Sequence, residues 1–254
     1  MNPFHLRFKP HILLSAILLL IFPISVAQAE KDTFMLGNQA YMHKDFTAAI
    51  TYYQQTAATR GLSASLLYNM GNCYARLEKT GLTILAYEQA LRLDHGNADI
   101  RSNLQTIRKK NGIYQQDKPW WQWLFDLLGT NQWLLLSGCS FFIFSCCLLL
   151  IAVLEKPGVG RIPKALAICA LLTTLLTLPP LVYGYLHWQD AVVLTKTRLM
   201  ISPFAEADPA GAIKEGQVAH PLKTYNDYIL VTDFSGRKGW VPGKELGFLD
   251  DFEA

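Results

Sequence analysis

The sequence predicts a multi-domain membrane protein built from an all-α module of helical hairpins, a two-helix transmembrane hairpin and a small all-β barrel at the C-terminus. Residues 30–110 repeat at an offset of 34, which indicates stacked helical hairpins. Residues 134–154 and 165–187 are apolar runs without Asp, Glu, Lys or Arg, each long enough to cross a bilayer. Residues 188–254 contain short alternating runs separated by turn residues, as small β domains do.

Residues 1–29 have the pattern of a secretory signal peptide. Arg7 and Lys9 precede the apolar residues 12–26, and Ala27-Gln28-Ala29 supplies small residues at the cleavage spacing. A retained anchor is the alternative, but this apolar run falls short of the roughly 20 residues that a membrane span needs. We therefore expect cleavage after the small triplet and a mature chain that begins outside the cytoplasm.

The repeat is visible when the chain is aligned with itself. At an offset of 34 the equivalent residues are Leu36-Gly37-Asn38 with Met70-Gly71-Asn72, Ile50 with Ile84, and Tyr53 with Tyr87. The period and the residue types resemble the tetratricopeptide repeat, in which small residues let two helices approach and aromatic residues fill the grooves. The resemblance implies repeats over residues 30–63 and 64–97, followed by a capping helix that ends near residue 110.

Two repeats and a cap are fewer than the roughly three repeats that such stacks need. We therefore expect a partner, self-association or the membrane surface to cover the remaining apolar face. The resemblance also implies a concave groove lined by the first helix of each hairpin. Its candidate partner-binding residues are Asn38, Met42, Asn72 and Arg76, with the asparagines able to hold a peptide backbone. For each of the four, the alternative is an exposed helix residue without a ligand.

The membrane region begins with a linker over residues 111–133. Its four tryptophans favour an interfacial helix over a plain linker, and they are Trp120, Trp121, Trp123 and Trp133. The loop 155–164 between the two spans has Lys156, Arg161 and Lys164 against a single acidic residue. By the positive-inside rule this loop is cytoplasmic, so both flanking modules lie on the other side of the membrane, in agreement with the signal peptide.

The second span contains Pro179 and Pro180, which leave backbone carbonyls without intrahelical donors. We expect Thr173, Thr174 and Thr177 to help satisfy those carbonyls. Neither span has an acidic or basic residue in its interior, so the sequence does not indicate a transport pathway through this chain alone. The spans are interpreted as anchors.

Residues 188–254 resemble a bacterial Src-homology-3-like domain. The resemblance is carried by Ile213 with Gly216, a strand turn at Ser235-Gly236, Gly239-Trp240-Val241 and a closing Leu246. It implies an exposed aromatic groove that can hold an extended peptide, with Tyr225, Tyr228 and Trp240 as ligand candidates. For Trp240, packing in the core is favoured over contact with a ligand.

Several classes of function are not indicated. The net charge of +3 comes without a basic face interleaved with aromatic residues, which disfavours nucleic-acid binding. Four of the five cysteines lie in the apolar runs and the six histidines share no ligand spacing, so no disulfide, metal site or cofactor is expected. No nucleophile with a base and no paired carboxylates stand out, and we expect no enzyme.

The order of segments resembles the BatE family, the tetratricopeptide and Src-homology-3-like members of the bacterial aerotolerance (Bat) group. The resemblance implies an inner-membrane protein with both soluble domains in the periplasm. It also implies a scaffold in an envelope complex linked to stress tolerance, with von Willebrand factor A domain Bat proteins and a MoxR-type ATPase as partners. Self-association is a further expectation, and a cell-wall-binding sensor that uses the C-terminal barrel is the alternative function.

Overall fold

The computed structural model describes residues 33–113, 120–125, 127–153 and 161–252. The predicted signal peptide and most of the predicted cytoplasmic loop lie outside the described residues. The helices are α1 (33–42), α2 (Phe46–Arg60), α3 (Ala64–Arg76), α4 (Thr80–Leu93), α5 (Ala98–Lys110), α6 (Trp120–Phe125), α7 (Thr130–Val153) and α8 (Arg161–Leu186). The strands are β1 (Ala191–Val193), β2 (Thr197–Met200), β3 (Pro209–Ile213), β4 (Val218–Tyr225), β5 (Tyr228–Thr232), β6 (Lys238–Pro242) and β7 (Leu246–Phe248).

The first five helices form a helical module whose turns repeat with the predicted period. Lys44, Glu78 and Gly112 lie 34 residues apart and adopt positive φ angles of 64°, 59° and 60°. In each turn the next residue donates its backbone N–H to a carbonyl five positions earlier, as Asp45 does to Ala40. The equivalent bonds join Lys79 to Tyr74 and Ile113 to Arg108. This left-handed ending satisfies carbonyls that the helix end would leave unpaired.

Helix starts in the module are fixed by polar side chains. The carboxylate of Asp45 accepts a hydrogen bond from the backbone N–H of Ala48 at 3.0 Å, and Ser63 accepts one from Leu66 at 3.2 Å. Asn97 caps α5 in the same way. Each such cap contributes about 1 kcal/mol of helix stability.

Within each hairpin a glycine faces a tyrosine ring. A Cβ on Gly37 would lie 2.5 Å from the Tyr53 ring, and a Cβ on Gly71 would lie 2.6 Å from the Tyr87 ring. Both tyrosines are almost completely buried. The prediction that these glycines allow close helix approach is therefore confirmed by the geometry.

The last helix, α5, closes the module with a polar outer face. Ile100 and Leu104 are 2% exposed and pack inward, as predicted for a capping helix. The outer residues are exposed and polar, namely Arg101, Ser102, Gln105, Thr106, Lys109 and Lys110. A polar outer face is what the end of a helical stack needs to remain soluble.

Two helices, α7 and α8, are long and apolar enough to cross a membrane. They pack against each other, and the side chains buried on them are small or compact, namely Ser140, Cys147, Ala167, Ala170, Thr177 and Pro180. Helix α8 runs through both prolines without a break. The expectation for the threonines was wrong, because Thr173, Thr174 and Thr177 donate to the carbonyls of Cys169, Ala170 and Thr174. Those are not the carbonyls four residues before the prolines.

The short helix α6 lies against the end of α8 that leads to the β domain. The rings of Trp121 and Phe125 both contact Tyr183, with centroid distances of 6.0 and 5.7 Å. The indole N–H of Trp133, on α7, donates to the carbonyl of Phe125 at 3.1 Å. These contacts make a packed junction of α6, α7 and α8.

The C-terminal β domain is a seven-stranded antiparallel sheet with strand order β3-β2-β6-β5-β4-β1-β7. Alternate residues of its strands form one core, namely Ala191, Val193, Leu199, Ile213, Ala219, Ile229, Val231, Val241 and Leu246. The predicted turn at Ser235-Gly236 is present, with Gly236 at φ 82°. Asp233 holds this turn by accepting hydrogen bonds from Ser235 and Arg237.

The β domain packs directly on α4. Strand β1 is buried on both faces, because Val192 points away from the β core and joins a cluster with Ile84 and Tyr87 of α4. Two glycines allow the approach. A Cβ on Gly216 would lie 2.5 Å from Ile84, and a Cβ on Gly247 would lie 2.5 Å from Leu85.

Hydrogen bonds hold α4 to the β domain and to the segment before it. The Glu215 carboxylate accepts the backbone N–H of Gly81 at 2.7 Å, near the start of α4, where Lys79 offers no side-chain cap. Gln89 donates to the carbonyls of Phe248 and Asp251 at 3.1 and 2.6 Å. The expectation that another molecule must cover the stack was therefore wrong for α4, since the chain's own C-terminal domain covers it.

Candidate binding surfaces

The first helices of the hairpins, α1 and α3, and the capping helix α5 lie side by side and share a ladder of asparagine and tyrosine side chains. The Tyr53 hydroxyl donates to Asn38 Oδ1 at 2.7 Å, and the Tyr87 hydroxyl donates to Asn72 Oδ1 at 2.6 Å. The next helix adds a second donor to each asparagine. Asn69 Nδ2 lies 3.4 Å from Asn38 Oδ1, and Asn103 Nδ2 lies 3.5 Å from Asn72 Oδ1.

Burial makes ionisation of the ladder tyrosines less favourable than it is in water, in agreement with their role as donors. Desolvation by burial, with smaller contributions from Cys73 and Tyr41, raises the pKa of Tyr53 to about 12. Burial likewise raises the pKa of Tyr87 far above its ordinary value. The thiol pKa of Cys73 is raised to about 11, again by burial, so this cysteine is a protonated core residue.

The four groove residues predicted from the sequence fall into two pairs. Asn38 and Asn72 are half-buried and their side-chain oxygens hold the ladder together, although their amide nitrogens are not needed for those bonds. Met42 is 72% exposed and Arg76 is also exposed, each at the last residue of its helix. Only Met42 and Arg76 therefore offer whole side chains to a partner. Their role in binding stays a prediction.

On the β domain, three aromatic rings form an outer cluster. Tyr225 lies edge-on to both Phe204 and Trp240, with centroid distances of 6.5 and 6.4 Å. Trp240 is half-buried and outside the β core, because its strand neighbours Gly239 and Val241 take the inward positions. The prediction that Trp240 packs in the core of the β domain was therefore wrong. Tyr228, the third predicted residue, is half-buried at the start of β5.

Sequence reasoning missed Phe204 in this cluster. It lies in the loop between β2 and β3, directly after Ser202-Pro203. Its exposure, 58%, exceeds that of Tyr225, 47%. A lone aromatic residue in a loop gives no signal in the sequence, because it is the pairing of β2 with β6, at Met200 and Trp240, that brings the loop after β2 beside Trp240.

A third feature lies where α8 meets the β domain. His220 Nδ1 and Asp190 Oδ1 are 2.7 Å apart, and the His187 ring stacks on Tyr183 at 4.1 Å with His220 a further 5.8 Å away. Arg92 of α4 donates to the carbonyls of His187 and Trp188 at 2.7 and 2.6 Å. In the described part of the chain, no cluster of three or more metal-ligand residues is present here or elsewhere.

Burial raises the pKa of the Asp190 carboxyl, against the opposing effects of His220, His187 and Arg92. Dehydration of the carboxylate thus outweighs its favourable neighbours. The spacing of these residues in the sequence does not predict the cluster, because His220 on β4 meets Asp190 only after β4 has folded back to the end of α8.

No protein-family model matches the sequence, and no curated protein matches it either. Function must therefore be inferred from the surfaces described above.

Proposed function

We propose that the chain is a membrane-anchored scaffold for protein–protein interaction, of the BatE kind, in the bacterial inner membrane. In this proposal the hairpins are tetratricopeptide repeats, the β domain is a Src-homology-3-like barrel, and both lie in the periplasm. The two apolar helices support the anchor. The 34-residue repetition of turns, glycine–tyrosine contacts and asparagine bonds supports the repeat.

The observation that carries the proposal is the fixed placement of the helical module. Its α4 side is held by the β domain, while the α1 and α3 side keeps Met42 and Arg76 exposed. A scaffold needs a binding face whose orientation toward the membrane does not drift, since pre-organisation lowers the entropy lost on binding. The asparagine ladder adds rigidity to that face because each oxygen accepts two donors.

By resemblance, the partners are von Willebrand factor A domain Bat proteins and a MoxR-type ATPase. The proposed role is to tether such an envelope complex, linked to stress tolerance. An exposed thioether and a guanidinium suit a partner segment with an apolar residue next to a carboxylate. This recognition needs no cofactor and no catalysis.

Cross-linking in the native membrane, followed by identification of the captured proteins, tests the scaffold. Arg76→Glu and Met42→Glu should each reduce capture of the main partner about tenfold, since a reversed charge or a buried carboxylate opposes the contact. Thr51→Glu, on exposed α2 surface, is the matched control and should leave capture unchanged. Equal capture by all three variants would show that this face is not the binding surface.

The exposed aromatic cluster of Phe204, Tyr225 and Trp240 supports a second candidate function, a cell-wall-binding sensor. A cluster of aromatic rings can hold an extended peptide by apolar contact. Retention of the full chain on purified cell-wall sacculi tests it. Tyr225→Ala should abolish retention while Arg76→Glu leaves it intact, and the absence of retention would remove this candidate.

A further inference from the structure

One row of paired residues places an edge of the β domain at the end of α8. His220 pairs with Thr232, and Thr232 pairs with Lys238 on the next strand. The His220 ring lies 5.8 Å from the ring of His187, which follows α8 directly, and its Nδ1 lies 2.7 Å from Asp190 Oδ1. Because neighbouring strands are about 4.8 Å apart, this row extends only about 10 Å sideways from the end of α8.

Large apolar side chains are exposed around this row. Trp188 is 44% exposed, Leu222 47% and Phe234 43%. Trp188 follows His187, while Leu222 and Phe234 each lie two residues after a member of the row. None of the three belongs to the apolar clusters that form the cores of the described modules. We call these three residues the helix-end patch.

The turn that carries Phe234 forms without the help of the phenyl ring. Asp233 accepts hydrogen bonds from the backbone N–H groups of Ser235 and Arg237 and from their side chains, and Gly236 provides the positive φ. Small and polar residues are usual at such a turn. The exposed phenyl ring forgoes the free energy that burial would provide, so its apolar surface is available to something outside the chain.

We propose that the helix-end patch rests in the interfacial layer of the bilayer that α8 crosses, with Lys238 at the level of the lipid phosphates. The path of the chain identifies this occupant. Helix α8 holds the row at the bilayer surface, so lipid is present at this level before any other partner binds. Apolar and aromatic side chains next to a lysine favour the interfacial layer.

Hydrogen bonds keep this edge of the β domain at the end of α8. Arg92 of α4 donates to the carbonyls of His187 and Trp188 at 2.7 and 2.6 Å, and the backbone N–H of Leu249 donates to the carbonyl of Asp190 at 2.9 Å. A weak contact with lipid is then sufficient, because the tether gives the patch a high effective concentration at the surface. The inference rests on the proposed function only in that α8 crosses a membrane, and it adds lipid as a ligand of the β domain.

Photo-cross-linking of the full chain in lipid nanodiscs tests the contact. Phe234 and, in a separate sample, Tyr225 are each replaced by p-benzoylphenylalanine in discs made of phosphatidylethanolamine and phosphatidylglycerol. The two positions are similarly exposed, at 43% and 47%, but Tyr225 is the last residue of β4 and lies away from the row. Lipid adducts measured by mass spectrometry should be at least about tenfold more abundant at position 234 than at position 225.

A change of charge tests the role assigned to Lys238. In the chain labelled at position 234, Lys238→Glu should lower the yield of lipid adduct about threefold, because a carboxylate is repelled by anionic headgroups. Lys244→Glu is the matched control, since Lys244 is an exposed lysine in the short turn after β6 and should leave the yield unchanged. Equal yields in the two charge variants would contradict the placement of Lys238 at the phosphates.

The remaining outcomes separate this contact from the proposed function. Equal yields at positions 234 and 225, or no adduct at either, would overturn the contact with lipid. Capture of a protein in place of lipid at position 234 in native membranes would also overturn it. A chain that enters the discs without a preferred adduct leaves the anchored scaffold standing, whereas a chain that stays outside the discs would contradict the membrane anchor and this inference together.

Discussion

At the scale of single residues, Asp190 has the most consequential environment in the molecule. It is buried between the end of α8 and the β domain, where it meets His220 of β4 and His187, with Arg92 of α4 nearby. Asp250 and Glu88 in turn act on Arg92. Ionisation of Asp190 is disfavoured by burial, and the hydrogen bond with His220 and the electrostatic effects of His187 and Arg92 only partly offset that penalty.

Asp190 therefore predicts a specific pH dependence of stability. Because its pKa is raised in the folded chain, the folded state binds this proton more readily than the unfolded state does. The stabilisation is complete below the ordinary carboxyl pKa and is lost as pH rises through the folded value. Asp190→Asn should remove this loss of stability. The thermal midpoint of the variant in detergent, relative to that of the wild type, should therefore increase as pH rises from 4 to 7. If the thermal midpoint of the variant relative to the wild type stays constant or decreases over this pH range, the raised pKa of Asp190 would be contradicted.

At the scale of elements, the turns after α1, α3 and α5 share one left-handed conformation but not one residue type. Only the third turn has glycine, at Gly112, whereas Glu78 adopts φ 59° with a full side chain. Glu78→Gly should therefore stabilise the chain by about 0.5–1 kcal/mol, which is a rise of about 2 °C in thermal midpoint. Gln105→Gly is the control, since Gln105 is an exposed residue inside helix α5 and glycine there should destabilise. Circular dichroism measures the thermal midpoint of unfolding of both variants. A lower midpoint for Glu78→Gly than for the wild type would show that the positive φ of Glu78 does not strain the backbone.

Contacts inside a hairpin were predictable from the sequence, because a glycine and a tyrosine recur together at one spacing, as Gly71 and Tyr87 do. The role of Asn72 was only partly predictable, since an asparagine on a groove face can bind a ligand or a neighbouring hydroxyl equally well. Contacts between modules were not predictable. Gln89 and Arg92 bond to backbone carbonyls 95 to 162 positions away, and every residue has such a carbonyl. No pattern of side chains in the β domain could therefore predict these contacts.

At the scale of the whole molecule, the packing of α4 against the β domain determines whether the helical module and the β domain move together. Gly216 has φ 81°, and a Cβ there would lie 2.5 Å from Ile84 and 2.7 Å from Ile113. Gly216→Val should therefore separate the modules and expose the apolar face of α4. In the full chain in detergent, hydrogen exchange of residues 80–93 should accelerate at least about tenfold, the change that corresponds to about 1.4 kcal/mol.

A second glycine separates loss of docking from simple backbone strain. Gly236 has nearly the same φ, 82°, but no atom lies within 4 Å of a Cβ built there. Gly236→Val should weaken the β5–β6 turn and leave the exchange of α4 unchanged, whereas Gly216→Val should do the reverse. Equal acceleration of α4 in both variants would mean that α4 depends on the stability of the whole β domain. Unchanged hydrogen exchange of α4 in both variants would mean that the helical module stabilises α4 without its contact with the β domain. The conclusion that the β domain covers and stabilises α4 would then be wrong.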